Sequence, residues 1–255
     1  MERPLTRHRH ELKFRQLTVK ETSYITPNMI RILFEGDDLA DFVSLGFDDH
    51  VKLFIPTPGS EETEKRDYTP RFYDTDARTL AIDFAVHDAG PATRWAIEAR
   101  PGDMLEIGGP RGSMVVEPVF NWWLLIGDET ALPAIGRRIE ELPAGMRAIS
   151  IVTISDDKDQ QSFSTSADHH AIWLRRPLDR ADDPAPVLDA LKELALPQGD
   201  GFVWIAAEVN VARAARDHLV KERGHPLYWT KTAGYWRKGV ADAQEKSMDE
   251  PAPTE

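Results

Sequence analysis

The chain has 255 residues, of which 41% are hydrophobic and 29% are charged, and it carries a formal net charge of −12. This composition is typical of a globular protein with one large domain or two of ordinary size, and the negative charge argues against nucleic-acid binding. The sequence contains no cysteine, which excludes disulfides, thiol catalysis and a cysteine-ligated iron–sulfur cluster. Any redox chemistry therefore depends on a bound organic cofactor or on a metal with other ligands.

No apolar run approaches the ~20 residues that a helix needs to cross a bilayer; the longest candidate is residues 122–126. Residues 1–20 are charged and lack the apolar core of a signal peptide. The sequence therefore predicts a cytoplasmic location without membrane contact, and we expect a monomer.

The first half of the chain has the pattern of short β-strands. Four segments are rich in β-branched and aromatic residues, namely residues 14–20, 28–35, 50–55 and 79–87. Turn residues such as Thr26-Pro27-Asn28 separate them. Many short strands at this spacing predict an antiparallel β-barrel or sandwich, here assigned to residues 1–118.

Residues 66–71 read Arg-Asp-Tyr-Thr-Pro-Arg. Pro70 fixes one φ angle and favours an extended Thr69, so Arg66, Tyr68 and Arg71 are expected to project from a short, stiff strand. Such a strand can hold a flat anionic ligand, because the phenol offers a stacking face, the hydroxyl a hydrogen bond and a guanidinium a paired contact to phosphate. The alternative is a surface strand whose arginines pair with nearby acids.

A helix is predicted over residues 90–100, with Pro91 in its first turn. Its small amino end exposes backbone N–H groups that suit a pyrophosphate, and the compatible alternative is a helix that covers the barrel mouth. Residues 108–113 read Gly-Gly-Pro-Arg-Gly-Ser. A tight hairpin is the favoured interpretation of this stretch, and a close approach of the backbone to another group is the alternative.

From residue 119 the strand and helix patterns alternate. Strands are predicted at residues 121–127, 148–155, 170–174, 201–206 and 227–230, and helices at 131–142, 185–194 and 208–223. This alternation predicts a mostly parallel α/β domain over residues 119–239, whose ligands bind at the carboxyl ends of the strands. The acidic residues 240–255 are predicted to form a disordered tail. His169 and His170 have no matching third ligand, so no metal site is predicted.

The order of these features resembles the siderophore-interacting protein family, whose members are flavin-dependent ferric-siderophore reductases with the ferredoxin-reductase-like fold. The motifs that carry the resemblance are RxYTxR at 66–71, HxxGPAxxW at 87–95, GPRG at 109–112, GDETALPAI at 127–135 and GYWRKG at 234–239. Each motif is modest alone, but five in this order are hard to obtain by chance. The resemblance runs from about Lys13 to Gly239.

The resemblance implies bound FAD and an NADH or NADPH electron donor, with a protein donor as the alternative. It implies that Tyr68 lies against the isoalloxazine, Thr69 near its reactive edge and Arg66 on phosphate. The other cofactor-binding residues that it implies are His87, Gly90, Pro91, Ala92, Trp95, Gly112, Ser113, Asp128, Thr130 and Ala131. Many relatives end the later strand with a glycine followed by Glu and Ala, whereas this chain has residues 206–209 as Ala-Ala-Glu-Val, a departure that bears on how a pyridine nucleotide is held.

The implied substrate is an anionic ferric siderophore, catecholate or hydroxamate, from which iron is released as Fe(II) because Fe(III) is the form that hard oxygen donors hold tightly. The candidates for a basic substrate-binding patch are Lys52, Arg111, Arg237 and Lys238, with solvated surface charges as the alternative. The flavin transfers the electrons, so no catalytic side chain is predicted. Two other functions remain open, a general NAD(P)H:flavin oxidoreductase with another acceptor and a module that binds ferric siderophore without reducing it.

Overall fold

A computed structural model of the chain describes residues 4–57, 59, 62–86, 90–240 and 245. The chain divides into two compact units. The β-unit comprises Leu5–Val116 with Gly136–Arg138, and the α/β-unit comprises the rest of the described chain. No helix in the described ranges is long and apolar enough to cross a membrane.

The described part of the β-unit consists of antiparallel strands, one α-helix and a short 3₁₀ turn at Asp37–Leu39. The strands are β1 (Leu5–Arg9), β2 (Phe14–Thr26), β3 (Met29–Glu35), β4 (Val51–Pro56), β5 (Thr63–Tyr68), β6 (Pro70–Asp74), β7 (Thr79–Ala85), β8 (Met104–Gly108) and β9 (Gly112–Val116), and α1 (Pro91–Glu98) lies between β7 and β8. Seven of them form one sheet in the order β5-β4-β8-β2-β3-β7-β6, and β1 pairs with β9. The two edge strands of the larger sheet, β5 and β6, follow each other in the chain and are separated by Thr69 alone, so the sheet curls until its edges meet end to end.

The inner face of this curled sheet forms the core of the β-unit. Leu17, Ile32, Phe34, Leu53 and Ile82 are fully buried there, as the alternation of apolar side chains along the strands predicts. The small residues of α1 pack against the same core. The predicted antiparallel architecture is therefore confirmed, in the form of a curled, partly open barrel.

The α/β-unit is built on a parallel sheet. Its strands are β10 (Trp122–Gly127), β11 (Arg147–Ile154), β12 (Asp168–Arg175), β13 (Gly201–Glu208) and β14 (Thr230–Trp236), and its helices are α2 (Leu132–Glu141), α3 (Ala185–Glu193) and α4 (Val209–Asp217). The strand order β12-β11-β10-β13-β14 confirms the predicted parallel α/β architecture. The order reverses direction between β10 and β13, which is the point at which open α/β sheets bind their ligands, beyond the carboxyl ends of the strands.

Two local predictions are wrong. Residues 108–113 do not form a hairpin, because β9 pairs with β1 instead of β8; the alternative holds, since a Cβ on Gly112 would lie 2.5 Å from the carbonyl oxygen of His8. The strand predicted at 227–230 is a 3₁₀ turn at Leu227–Trp229, and β14 begins only at Thr230. The helix predicted at 208–223 is confirmed, as α4 to Asp217 followed by a π-helical turn at His218–Glu222.

The domain boundaries and the tail stay predictions. Of the predicted tail, the structure describes Val240 and Glu245. Glu245 exchanges two backbone hydrogen bonds with Gly234 of β14, of 2.9 and 2.8 Å. The acidic segment therefore returns to the sheet at this residue.

Gly201 tests the packing at the start of the parallel sheet. A Cβ on this residue would lie 2.0 Å from the ring of Trp122, its neighbour in register on β10. Gly201→Ala is expected to lower the free energy of unfolding by about 1–3 kcal/mol, the usual cost of overpacking, as measured by urea unfolding.

Trp122→Leu removes the ring atoms that would clash. The double variant is therefore expected to be more stable than the sum of the two single changes predicts. Strict additivity would show that the clash is not the cause.

Candidate functional site

The predicted flavin-binding motif and helix α1 meet in one aromatic cluster of the β-unit. Tyr68, at the end of β5, lies 4.5 Å from the ring of Phe84 on β7. Phe84 in turn lies 6.1 Å from Trp95 of α1, whose ring is stacked on Phe34 at 6.2 Å. Two segments that are separated by more than twenty residues thus place their aromatic side chains around one buried ring.

The phenol of Tyr68 stays neutral. Burial raises its pKa, and the nearby charge of Arg66 opposes this effect only in part. A neutral phenol keeps its O–H as a hydrogen-bond donor and its ring as a stacking face. Tyr68 is half-buried and Thr69 is buried, so both lie close to the core at the junction of the two edge strands.

The two arginines of the motif have different environments. Arg66 is half-buried, pairs with Glu64 at 2.9 Å and donates to the carbonyl oxygen of Lys65 at 2.8 Å. Arg71 is buried, with its Nε 3.8 Å from Asp83. Arg66 is therefore the more exposed of the two arginines of this motif, and a ligand-binding role for either stays a prediction.

The amino end of α1 has open backbone donors. Its N-cap residue, Gly90, contributes no side-chain hydrogen bond, and Pro91 occupies the first turn. A Cβ on Gly90 would meet no atom within 4 Å among the described residues. Among the described residues, open space and a helix end without a side-chain cap therefore coincide here, which suits a pyrophosphate, whereas Ala92 is buried in the core.

His87 lies outside the described residues. Its predicted role therefore stays a prediction.

Ser113, another predicted cofactor residue, is buried in a polar network of the β-unit. Its hydroxyl donates to Asp49 Oδ2 at 2.5 Å, accepts from the backbone N–H of Leu45 at 3.0 Å and lies 2.8 Å from His10 Nε2. Burial raises the pKa of the Asp49 carboxyl. These three partners use the full hydrogen-bonding capacity of a hydroxyl, so Ser113 holds the loop around Leu45 in place.

Asp128 ties together the carboxyl ends of three strands in the α/β-unit. Its carboxylate is buried directly after β10. Oδ2 accepts from the backbone N–H of Glu208 on β13 and from the indole N–H of Trp236 on β14, both at 2.9 Å. Oδ1 accepts from the N–H and the hydroxyl of Thr130, at 2.9 and 2.5 Å.

The turn after β10 is close-packed, which explains its small residues. A Cβ on Gly127 would lie 2.5 Å from the Cβ of Ala131 and 2.9 Å from the carbonyl oxygen of Ala206. The N–H of Ala131 donates to the carbonyl oxygen of Asp128 at 3.0 Å. Asp128, Thr130 and Ala131, all predicted cofactor residues, thus form one rigid turn at the ligand-binding edge of the sheet.

Glu208 caps the helix that follows β13. Its Oε2 accepts from the N–H groups of Asn210 and Val211, at 2.6 and 3.4 Å, and Oε1 accepts from the N–H of Lys238 at 3.3 Å. The amino end of α4 is therefore occupied by a carboxylate of the chain itself. A nucleotide phosphate needs another partner at this edge.

The sequence analysis missed a buried ion pair at the same edge. Arg176 Nη2 donates to Glu129 Oε2 at 2.9 Å, and the two side chains are 3% and 12% exposed. Burial, with a second contribution from the charge of Asp128, raises the pKa of Glu129 to about 7, against the opposing effect of Arg176. The available signal was position, since Arg176 lies two residues after the strand predicted at 170–174 of a parallel sheet.

The basic candidates of the β-unit lie at one end of β4 and β8. Lys52 faces Asp67 on β5 and Gly108 on β8 in register, and its Nζ lies 2.6 Å from Asp67 Oδ1. The carboxylate of Asp67 is 8% exposed. Arg111 is exposed three residues beyond Gly108, so two cations and one buried carboxylate share this end of the sheet.

The basic candidates of the α/β-unit both have acidic partners. Arg237 pairs with Glu245 at 2.6 Å, and Lys238 pairs with Asp182 at 2.7 Å and also contacts the carbonyl oxygen of Asp179. These exposed pairs agree with the alternative of solvated surface charges. A substrate-binding role for either residue stays a prediction.

The chain is similar over nearly its whole length to a group of iron-related reductases. Residues 120–239 match the siderophore-interacting protein model, and residues 18–65 and 58–114 match the siderophore-interacting FAD-binding domain model. An NADPH-dependent ferric-chelate reductase of Escherichia coli is 35% identical over 250 residues, covering 90% of this chain and 95% of the relative. The ferric vibriobactin reductase ViuB of Vibrio cholerae is 29% identical over 247 residues, covering 88% and 90%.

A solved structure has the same fold as the chain. The siderophore utilization protein from T. fusca superposes with a TM-score of 0.86 at 35% identity, over 94% of this chain and 99% of that protein. The curled antiparallel sheet and the parallel sheet thus recur together in a protein that is matched over nearly its whole length.

Asp128→Asn tests the network that joins the strand ends. The amide NH₂ of asparagine would face two donors that now point at a carboxylate oxygen, so the free energy of unfolding is expected to fall by about 2 kcal/mol or more, as measured by urea unfolding. Trp236→Phe, which removes one donor, is expected to cost about 1 kcal/mol. Equal costs for the two variants would contradict the assignment of Asp128 as the hub.

Proposed function

Because the chain belongs to the siderophore-interacting protein family, we propose that it is a ferric-siderophore reductase that passes electrons from NADPH or NADH through bound FAD to Fe(III), releasing Fe(II) for iron assimilation. The observation that carries the proposal is the convergence of Tyr68 and Trp95 on Phe84. These residues lie in or beside the segments that match the FAD-binding domain model.

The residues of the β-unit fit FAD. Tyr68 offers a neutral ring for the isoalloxazine, Thr69 a hydroxyl beside it and Arg66 a charge for phosphate. The uncapped amino end of α1 and the open space at Gly90 accommodate the pyrophosphate. Bound FAD supplies a carrier that takes up an electron pair as hydride and gives up electrons singly, which links a two-electron donor to a one-electron acceptor.

The side chains of the protein position the substrate and exclude water from the cofactor site. The aromatic cluster excludes water from one side of Tyr68, and Lys52 with Arg111 attracts an anionic ferric complex to the end of β4 and β8. Asp67 holds Lys52 in place until the substrate competes for it. Reduction weakens the hold of hard oxygen donors on the iron, so no acid–base side chain is required for release.

The proposal also includes the electron donor, the cellular location and the oligomeric state. The E. coli relative is named for NADPH, which favours NADPH over NADH and over a protein donor. A pyridine nucleotide donor is available in reduced form inside the cell, so we propose a cytoplasmic location. We also propose a monomer, as the sequence analysis expects.

An anaerobic absorbance experiment tests the reaction. The purified protein is expected to carry a flavin that bleaches on addition of NADPH and reoxidises on addition of a ferric catecholate, with Fe(II) appearing in a ferrous trap. Tyr68→Ala is expected to retain less flavin than Tyr68→Phe, which keeps the ring. If the wild-type protein binds no flavin on reconstitution, the proposal is wrong.

Substitution of Lys52 tests the substrate end of the β-unit. Lys52→Ala is expected to raise the KM for the ferric catecholate several-fold and to leave kcat nearly unchanged, because a surface charge acts mainly on binding. The matched control is Lys20→Ala. Lys20 lies in the same unit, is similarly exposed at 47% against 39%, and pairs with Glu35 at 3.2 Å.

Asp67→Asn releases Lys52 from its carboxylate partner. This variant is therefore expected to lower the same KM. An equal KM for wild type, Lys52→Ala and Asp67→Asn would show that this end of the sheet does not bind the substrate.

A further inference from the structure

A buried ion pair lies at the ligand-binding edge of the parallel sheet, and the proposed reaction leaves it without a role. Glu129 follows the end of β10, and Arg176 follows the end of β12. The backbone N–H of Arg176 donates to the carbonyl oxygen of Ile154 at 2.9 Å, which fixes it beside the end of β11. Both charges therefore stand where open α/β sheets receive their ligands.

The guanidinium of Arg176 is only partly satisfied. Its side chain is 3% exposed, and Nη2 donates to Glu129. Nη1 is buried and has no hydrogen-bond partner among the described residues. Buried cationic donors are expensive to leave unpaired, so Nη1 marks a position for an acceptor that the described chain does not supply.

The carboxylate of Glu129 stands among other charges. Asp128 from its own turn and Asp159 from the 3₁₀ turn after β11 repel its negative charge, and Arg176 from the end of β12 attracts it. Both oxygens of Asp128 are already engaged with Glu208, Trp236 and Thr130. When Glu129 takes up a proton, Arg176 therefore loses its counter-ion, and Asp128 has no free oxygen with which to replace it.

From this arrangement we infer that Glu129 and Arg176 form a proton-linked latch on the nucleotide site: Glu129 takes up a proton from solvent, and Arg176 turns to a phosphate of the pyridine nucleotide. This inference rests on the proposed function, which supplies the nucleotide. The ligand's phosphate replaces the carboxylate as partner of the guanidinium, the kind of paired contact that arginine makes best. Because Glu208 already caps the amino end of α4, Arg176 is a buried cationic donor at this edge that can take that role.

The latch makes nucleotide affinity depend on pH. Binding favours the protonated form of Glu129, so affinity is highest below a pKa of about 7 and falls as the pH rises. The limit of this fall is tenfold per pH unit, since one proton is linked to one nucleotide. Near pH 8, binding should draw up to about one proton from the buffer.

Calorimetry on the flavin-loaded protein measures that proton. Oxidised NADP⁺ and NAD⁺ are titrated at pH 8 in two buffers of different ionisation enthalpy, so that no electron transfer intervenes and the buffer-dependent heat gives the proton uptake. Glu129→Gln keeps the shape and removes the titrating group, and it is expected to abolish the uptake and to bind more tightly at pH 8. The matched control, Asp189→Asn, removes an exposed carboxylate of α3 and should leave the uptake unchanged.

A second variant distinguishes a loss of nucleotide binding from a loss of folding. Arg176→Lys keeps the positive charge but not the fork of donors, and it is expected to weaken nucleotide binding at least tenfold while the flavin spectrum and the thermal midpoint stay near those of wild type. Uptake with NADP⁺ alone would identify the 2′-phosphate as the partner, and uptake with both nucleotides would identify the pyrophosphate. Inorganic phosphate alone should give no comparable uptake, and equal uptake with it would mean a free-anion site and overturn the assignment.

Failure of the latch and failure of the reductase give different results. Binding without proton uptake, or uptake that persists in Glu129→Gln, overturns the latch even if NADPH bleaches the flavin. If NADPH and NADH do not bleach the flavin and their oxidised forms do not bind, the proposed electron donor is wrong. The inference of the latch is then wrong as well.

Discussion

The carboxylate of Asp128 is the constraint on which the rest of the α/β-unit depends. One buried negative charge receives donors from the ends of three strands, so β10, β13 and β14 are held in register at the edge where ligands bind. The same charge helps to keep a proton on its neighbour Glu129 near neutral pH. The pKa of Glu129 is raised mainly by burial, and the charge of the adjacent hydrogen-bonded Asp128 adds to this effect.

The β-unit places a neutral aromatic surface beside charged groups. The phenol of Tyr68 is kept uncharged by burial, and its ring packs on Phe84 with α1 behind it. Arg66 stands next to it in a half-buried position. A ligand with a flat ring and an anionic tail would meet the ring of Tyr68 and, two residues earlier in the chain, the charge of Arg66.

Much of the architecture could be predicted from local sequence patterns. The misassigned turn and the missed ion pairs concern contacts between residues that are distant in the chain, about which a local pattern carries no information. The β-branched and aromatic residues at 28–35 and the apolar run at 122–126 predicted β3 and β10, because such residues are concentrated in strands. The turn at 108–113 was misassigned because β9 pairs with β1, a strand about a hundred residues earlier, and no local signal carries that information. The partners of Lys52 and Arg176 were missed for the same reason, since cross-strand register and neighbouring strand ends bring Asp67 and Glu129 to them.

The single residue between β5 and β6 has a consequence for solubility. Edge strands present unpaired N–H and C=O groups that can template pairing with another chain, and proteins usually protect such edges separately. Here the two edges of the seven-stranded sheet meet at Thr69. A ligand held by residues 66–69 would therefore shield the ends of both edges at once, and the ligand-free chain is the form in which self-association through the sheet would begin.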